Sequence, residues 1–238
     1  MTLTATLLDP ILKANPARPL ITFYDDATGE RIELSGVTTA NWAAKTANML
    51  RDECDVETGT AVAVLLPAHW QTAAVLLGAW WCGAHVVAEP ADAAWILCDS
   101  DRLDLALAAA PSGGVVALSL DAFGRGLTGL PDGVIDYATE VRQHGDDFVP
   151  WEPVPGTAAA LGDLSVADAA ATALRRAGEL DITATDRVLS MAEWSSLDGV
   201  VDGLLSVLAV GSSLVQCRNP DMGKMIARAA AEKCTRRL

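Results

Sequence analysis

The chain has 238 residues, 51% of them hydrophobic and 20% charged, with a formal charge of −14 at pH 7. That length fills one large domain or two small ones, and that apolar content supports a sizeable core and excludes disorder. The excess negative charge repels nucleic acid and anionic membrane, so neither is an expected partner.

Residues 4–14 have helical spacing, with Pro10 as a kink or a late start. Two β-like runs follow, ITFYDD (21–26) and RIELSG (31–36), and the turn chemistry of Asp26-Ala27-Thr28-Gly29 between them predicts a hairpin. Trp42, Ala43, Thr46, Met49 and Leu50 then recur at helical spacing. The apolar run ending at Pro67 reads as a strand buried on both faces, residues 69–83 as a helix apolar nearly all round and closed by Gly83, and residues 85–90 as the next strand. That order is a βαβ unit. The rhythm repeats with a strand at 93–100, a helix at 101–110 and a strand at 114–120.

Residues 121–162 are rich in Gly and Pro and read as loops, with one short helix near 137–143. Order returns at Ser165 and Asp168, a capping-box pattern ahead of a helix at 166–178. A strand at 186–191, an apolar helix at 196–211, a strand at 213–217 and a final helix at 222–238 complete the pattern. The fold class is α/β, with layered, largely parallel β-sheets flanked by helices. One domain over 1–238 is expected, with sub-regions 1–120 and 163–238 on either side of the loop-rich span.

Five scattered cysteines without CxxC spacing predict buried reduced thiols rather than disulfides or a zinc site. His69, His85 and His144 lie far apart, so no metal site is expected. The N-terminus lacks a basic n-region and no apolar run reaches the roughly 18 residues of a membrane span, which predicts a soluble, cytoplasmic protein without a leader.

Two segments carry more than class. Residues 32–90 hold Thr46-Ala47-Asn48-Met49-Leu50, Gly59-Thr60-Ala61-Val62-Ala63-Val64-Leu65-Leu66-Pro67 and Cys82-Gly83-Ala84-His85-Val86-Val87. Residues 183–215 hold TATDRVLSMAEWSSLDGVVDGLLSVLAVGSSLV. Together they resemble the N-terminal region of the adenylate-forming (ANL, AMP-binding) enzymes: acyl-CoA synthetases, luciferases and nonribosomal-peptide adenylation domains. The first set resembles that family's "ANxLAxxLR", "GDxVALLLPN" and "KAGAxxVPL" patterns, the second its "GDRVLSxLPLFHxxGLxxGLLxxLxxGxxxV" stretch. These are scaffold motifs, and the resemblance implies the fold of that region.

The same resemblance implies a phosphate-binding loop of the type "[ST]SGTTGxPKG" just ahead of the helix at 166–178. Pro155-Gly156-Thr157-Ala158-Ala159-Ala160-Leu161-Gly162 stands there instead, and no lysine occurs between Lys45 and Lys224. Where the family often has Pro-Leu-Phe-His, this chain has Ala192-Glu193-Trp194-Ser195. Family members also run on well beyond the second segment, so a shortened relative is expected.

Gly124-Arg125-Gly126-Leu127-Thr128-Gly129 matches G-x-G-x-x-G, but the turn residues Pro131-Asp132-Gly133 follow where a dinucleotide site needs a helix, so a plain loop is expected. There is no G-x-S-x-G elbow of the α/β-hydrolase kind. Glu193, Trp194, Ser195 and Asp198 cluster at the end of a predicted parallel strand, where open α/β sheets bind ligands. The bland alternative is a loop in which Ser195 or Ser196 caps the next helix. Gly156 and Thr157 are the residual loop candidates. Adjacent Trp80 and Trp81 are core or interface residues.

The resulting expectation is a degenerate, non-catalytic relative (a pseudoenzyme) that acts as a binding or protein-interaction module, as a homodimer or with another protein. The alternatives are a small-molecule protein that binds an adenylate, an acyl group or CoA, a residual AMP-ligase-like enzyme, and a split enzyme completed by another chain. No catalytic residue and no cofactor is assigned, with ATP, AMP or CoA left open.

Overall fold

A computed structural model describes residues 1–238. Helix α1 (Leu3–Ala14) accommodates Pro10 and leads to the hairpin of β1 (Pro19–Asp25) and β2 (Glu30–Ser35). The hairpin turn is held by Asp25, whose carboxylate accepts from Ala27 N at 2.8 Å, and closes at Gly29 with φ +78°. Helix α2 (Gly36–Asp52) starts where Ser35 Oγ accepts from Thr38 N. Strand β3 (Ala61–Leu65), helix α3 (Trp70–Trp81) and strand β4 (His85–Val87) form the expected βαβ unit. Then come β5 (Trp95–Asp99), α4 (Leu103–Ala108), β6 (Gly114–Leu118), β7 (Ile135–Asp136) and α5 (Tyr137–Glu140). Strands β8 (Ala159–Leu161) and β9 (Leu164–Ser165) precede α6 (Val166–Glu179). The chain continues through β10 (Arg187–Ser190), α7 (Leu197–Val200), α8 (Ser206–Ala209), β11 (Ser213–Arg218), α9 (Met225–Ala231) and β12 (Arg236–Arg237).

Two readings are corrected. The apolar helix at 196–211 is not one α-helix, because a π turn over Val201–Leu205 joins α7 to α8. Nor does the final helix reach the last residue. It stops at Ala231, the backbone turns at Lys233 (φ +54°), and the last residues pair with β10 as β12. Helix propensity loses there to the unpaired edge of β10, whose backbone groups take Thr235 N and Leu238 N, each at 2.9 Å.

The chain divides into two compact units. The first comprises Met1–Thr4, Ala40–Leu66 and Gln71–Ala169, the second Ala5–Thr39, Pro67–Trp70 and Ala170–Leu238. Segments from before and after the loop-rich span serve both.

The first unit holds a sheet of order β7-β6-β5-β3-β4-β8-β9, parallel except for the β8–β9 pair. Ala63, Ile96, Cys98, Ala106 and Val115 pack together in its core. Gly78 lets α3 and α2 meet, since a Cβ there would stand 2.6 Å from Thr46 Cβ.

The second unit holds a sheet of order β12-β10-β11-β1-β2, with only β2 antiparallel. Leu189, Val215 and Cys217 face Met225 and Ala229 of α9. Around that contact runs a charged network. Glu232 accepts from Tyr24 Oη at 2.5 Å, Arg31 at 3.0 Å and Arg187 at 2.6 Å. Arg228 stacks 4.1 Å from the Tyr24 ring centre and grips Asp26 through two bonds of 2.7 and 3.0 Å. No helix is long and apolar enough to cross a membrane.

Candidate functional site

The polar loop after β10 lies in the second unit. The β10–β11–β1 register places Ser190 beside Gln216 and Gln216 beside Phe23, so these three side chains share one face of the sheet. Ser190 Oγ accepts from Ala192 N at 3.1 Å, and Ala192 O accepts from Gln216 Nε2 at 3.0 Å. This fixes the loop's path and turns the Gln216 amide so that Oε1 is left with no partner in the protein, although the residue is only 1% exposed.

Trp194 is likewise buried, at 3% exposure, and its Nε1 has no hydrogen-bond partner. The indole lies against the π turn, where a Cβ on Gly203 would stand 2.5 Å from Nε1. A donor and an acceptor are thus each buried without a partner, the one against the π turn and the other on the sheet face, which costs free energy unless something else satisfies them.

The same face continues through Phe23 to His69, with ring centres 4.3 Å apart in a T-shaped pair, and on to Trp70. Trp70 Nε1 donates to Glu30 Oε1 at 3.3 Å, and His69 Nε2 lies 3.8 Å from that oxygen. Burial pushes the His69 imidazole below its ordinary pKa, against the upward pull of Glu30.

Of the other sequence candidates, Glu193 and Ser195 are exposed on the loop that carries Trp194, and Asp198 is exposed in the first turn of α7. Ser196 is the helix cap, with Oγ accepting from Gly199 N at 3.1 Å. Gly156 and Thr157 belong to the first unit and are exposed. There Gly156 O accepts from Ala167 N at 2.9 Å and Ala158 O from Val166 N at 2.9 Å, while Ser165 Oγ takes Asp168 N at 3.2 Å.

Trp80 is core rather than surface. It is 1% exposed and donates to Ala160 O at 2.8 Å. Trp81 reaches further out, with its ring centre 6.0 Å from Phe148. Beside it Arg51 lies 4.9 Å from the ring centres of both Phe148 and Trp151.

Gln216, His69 and Glu30 were not singled out from the sequence as site residues. For Gln216 one signal was present, a lone amide inside the apolar strand SLVQC. His69 and Glu30 meet only through the fold.

No protein-family model matches the chain. A Mycobacterium tuberculosis (strain ATCC 25618 / H37Rv) protein described as a TIGR03089 family protein is 55% identical over 240 residues, which is 99% of this chain and 97% of that protein. The chain belongs to the TIGR03089 family. Among solved structures, a Brucella canis acyl-CoA synthetase superposes over 100% of the chain with a TM-score of 0.81 at 16% identity. An anthranilate CoA ligase in complex with anthranoyl-AMP gives 0.77 at 15%, and a benzoate CoA ligase from Burkholderia xenovorans LB400 gives 0.74 at 16%, each also over 100% of the chain. The chain spans about half the length of these ligases, at 47%, 49% and 50%. At such identities the likeness shows the fold. This member of the TIGR03089 family has the α/β architecture of about half an acyl-CoA synthetase, in keeping with the resemblance read from its N-terminal motifs.

Proposed function

We propose that the chain is a non-catalytic binding module on the adenylate-forming fold, holding a small acyl or aryl molecule, free or as its adenylate, at Trp194 and Gln216. The observation that carries the non-catalytic part is the segment standing where the resemblance puts the phosphate-gripping loop. It forms the β8–β9 hairpin, which turns at Gly162 with φ +52°. The N–H groups that open α6 are already used by Ala158 O, Gly156 O and Ser165 Oγ, and the acidic side chain in its first turn is Asp168. Phosphoryl transfer draws on oriented free donors and cations, and a carboxylate at that helix start repels phosphate.

The buried indole N–H and amide oxygen support the binding part, since each is a polar atom left for a ligand's complementary group to satisfy. A partner protein or a second copy belongs to the same proposal, and exposed Val149 and Trp151, each 75% accessible, support it. Five unpaired thiols favour a cytoplasmic setting.

Purified protein is expected to give no ATP–pyrophosphate exchange with any acyl or aryl acid, and exchange above background would end the non-catalytic reading. Acyl and aryl acids with their non-hydrolysable adenylates are expected to raise the thermal midpoint by about 5–10 °C at a hundredfold excess over Kd. Trp194→Phe keeps an aromatic ring, though a smaller one, removes the N–H and is expected to weaken that ligand about tenfold. A flat panel together with a dimer in light scattering would move the reading to protein interaction alone.

A further inference from the structure

The first unit brings a pair of side chains four residues apart, Glu140 and His144, up to a third from far away in the sequence, Glu53. Donor atoms of Glu53, Glu140 and His144 all lie within 4.8 Å of one another. Glu53 follows the last turn of α2, Glu140 ends α5, and His144 follows the 3₁₀ turn Val141–Gln143.

The His144 side chain is only 10% exposed, and its Nε2 has no hydrogen-bond partner. That nitrogen stands 3.7 Å from Glu140 Oε1. The gap is too long for a hydrogen bond. It is close to the edge of a tetrahedron around zinc, where bonds of about 2.0–2.1 Å put neighbouring donors about 3.3 Å apart.

The backbone that presents His144 is fixed to α2. Lys45 Nζ donates to His144 O at 2.6 Å, and Asn48 Nδ2 donates to Gly145 O at 3.1 Å and Asp147 O at 2.9 Å. Arg51 Nη1 donates to Val149 O at 3.2 Å. The helix that clamps this segment is the one that ends beside Glu53, so two of the three donors are referred to one rigid element. Glu53 is exposed and free to close the last gap.

We propose that Glu53, Glu140 and His144 form a binding site for one divalent transition ion, Zn²⁺ by its donor set. One imidazole nitrogen and two carboxylate oxygens suit a borderline ion better than the hard Mg²⁺ or Ca²⁺, which prefer oxygen alone. The two carboxylates balance the ion's charge, and a fourth position is left for water. Spacing along the chain hides part of the site, since Glu140 and His144 stand four residues apart but Glu53 lies 87 residues before Glu140.

The test uses the full chain after chelator treatment, titrated with Zn²⁺ by calorimetry and with Co²⁺ by visible absorption. One equivalent is expected to bind with a micromolar or tighter Kd, and Co²⁺ to develop the ligand-field bands of a four-coordinate site. The thermal midpoint is expected to rise by about 5–10 °C at a hundredfold excess over Kd. Glu53→Gln is expected to weaken Zn²⁺ at least about tenfold, and His144→Gln to abolish stoichiometric binding. No binding below about 100 µM overturns the site, because that leaves less than about −5.5 kcal/mol for three ligands. Unchanged binding in Glu53→Gln overturns it too, and that exposed substitution decides the matter even if His144→Gln fails to fold.

Discussion

In the seven-stranded sheet of the first unit, Ala63, Ile96, Cys98 and Val115 pack with Ala106 of α4, and Trp80 of α3 is buried in the same unit. In the five-stranded sheet of the second, the α9 contact is ringed by Tyr24, Asp26, Arg31, Arg187, Arg228 and Glu232. The first contact is non-directional, so any apolar side chain of fitting volume serves. The second depends on geometry, because each buried charge needs its partner at hydrogen-bond distance. Apolar packing can hold a β-strand sequence that says little else, whereas the charged face specifies which segment lies on it.

The strongest way to break the comparison is Trp80→Ala. It empties a large core site and leaves Ala160 O without its donor. A loss of about 3–5 kcal/mol is expected, read by urea unfolding at neutral pH and insensitive to salt. A loss below about 1 kcal/mol would mean that the apolar core is slack.

Arg228→Ala comes next, with an expected loss of about 3 kcal/mol, because the Asp26 and Arg228 side chains are both 9% exposed and the carboxylate keeps only the Asp221 N–H and the more distant Lys224. Acid sharpens this case. The bonds from Arg228 lower Asp26 from 3.8 to about 2. Burial pushes Glu232 up, but bonds from Tyr24, Arg187 and Arg31 outweigh it and bring the group from 4.5 to about 2. Both folded values lie below the unfolded ones, so their stabilisation is present above about pH 4.5 and drains away as pH falls towards about 2. Wild-type stability is expected to fall across that window, and Arg228→Ala to fall less steeply. Parallel curves would count against the ion pair.

The smallest expected effect is Ser196→Ala, which removes the α7 cap and is expected to cost about 1 kcal/mol in the same unfolding assay.

How much was legible follows from the same contrast. The elements β3 to β6 and α3 were readable because their apolar runs and closing glycines are local signals. β7, β8, β9 and β12 were not, because each is two or three residues long and exists only through backbone pairing, β7, β8 and β12 with a strand distant in sequence and β9 with β8. The last residues carry basic side chains that suit a helix end, and the waiting edge of β10 overrode that preference. At the candidate site Trp194 was visible as an aromatic at a strand end. The buried, partnerless Oε1 of Gln216 was not, since it follows from the Ala192 carbonyl taking the amide once β10 and β11 lie side by side.

The π turn at Val201–Leu205 has a consequence for how this chain tolerates change in length. A single π turn holds one residue more than the α-helix around it. Removing one of those five residues lets the helix rewind as plain α while the segments on either side keep about the faces they now present, whereas the same cut in a plain α stretch would turn everything beyond it by about 100°. This stretch is therefore where a relative can lose one residue without re-aiming the helix, and only the backbone that Gly203 sets against the Trp194 indole is redrawn.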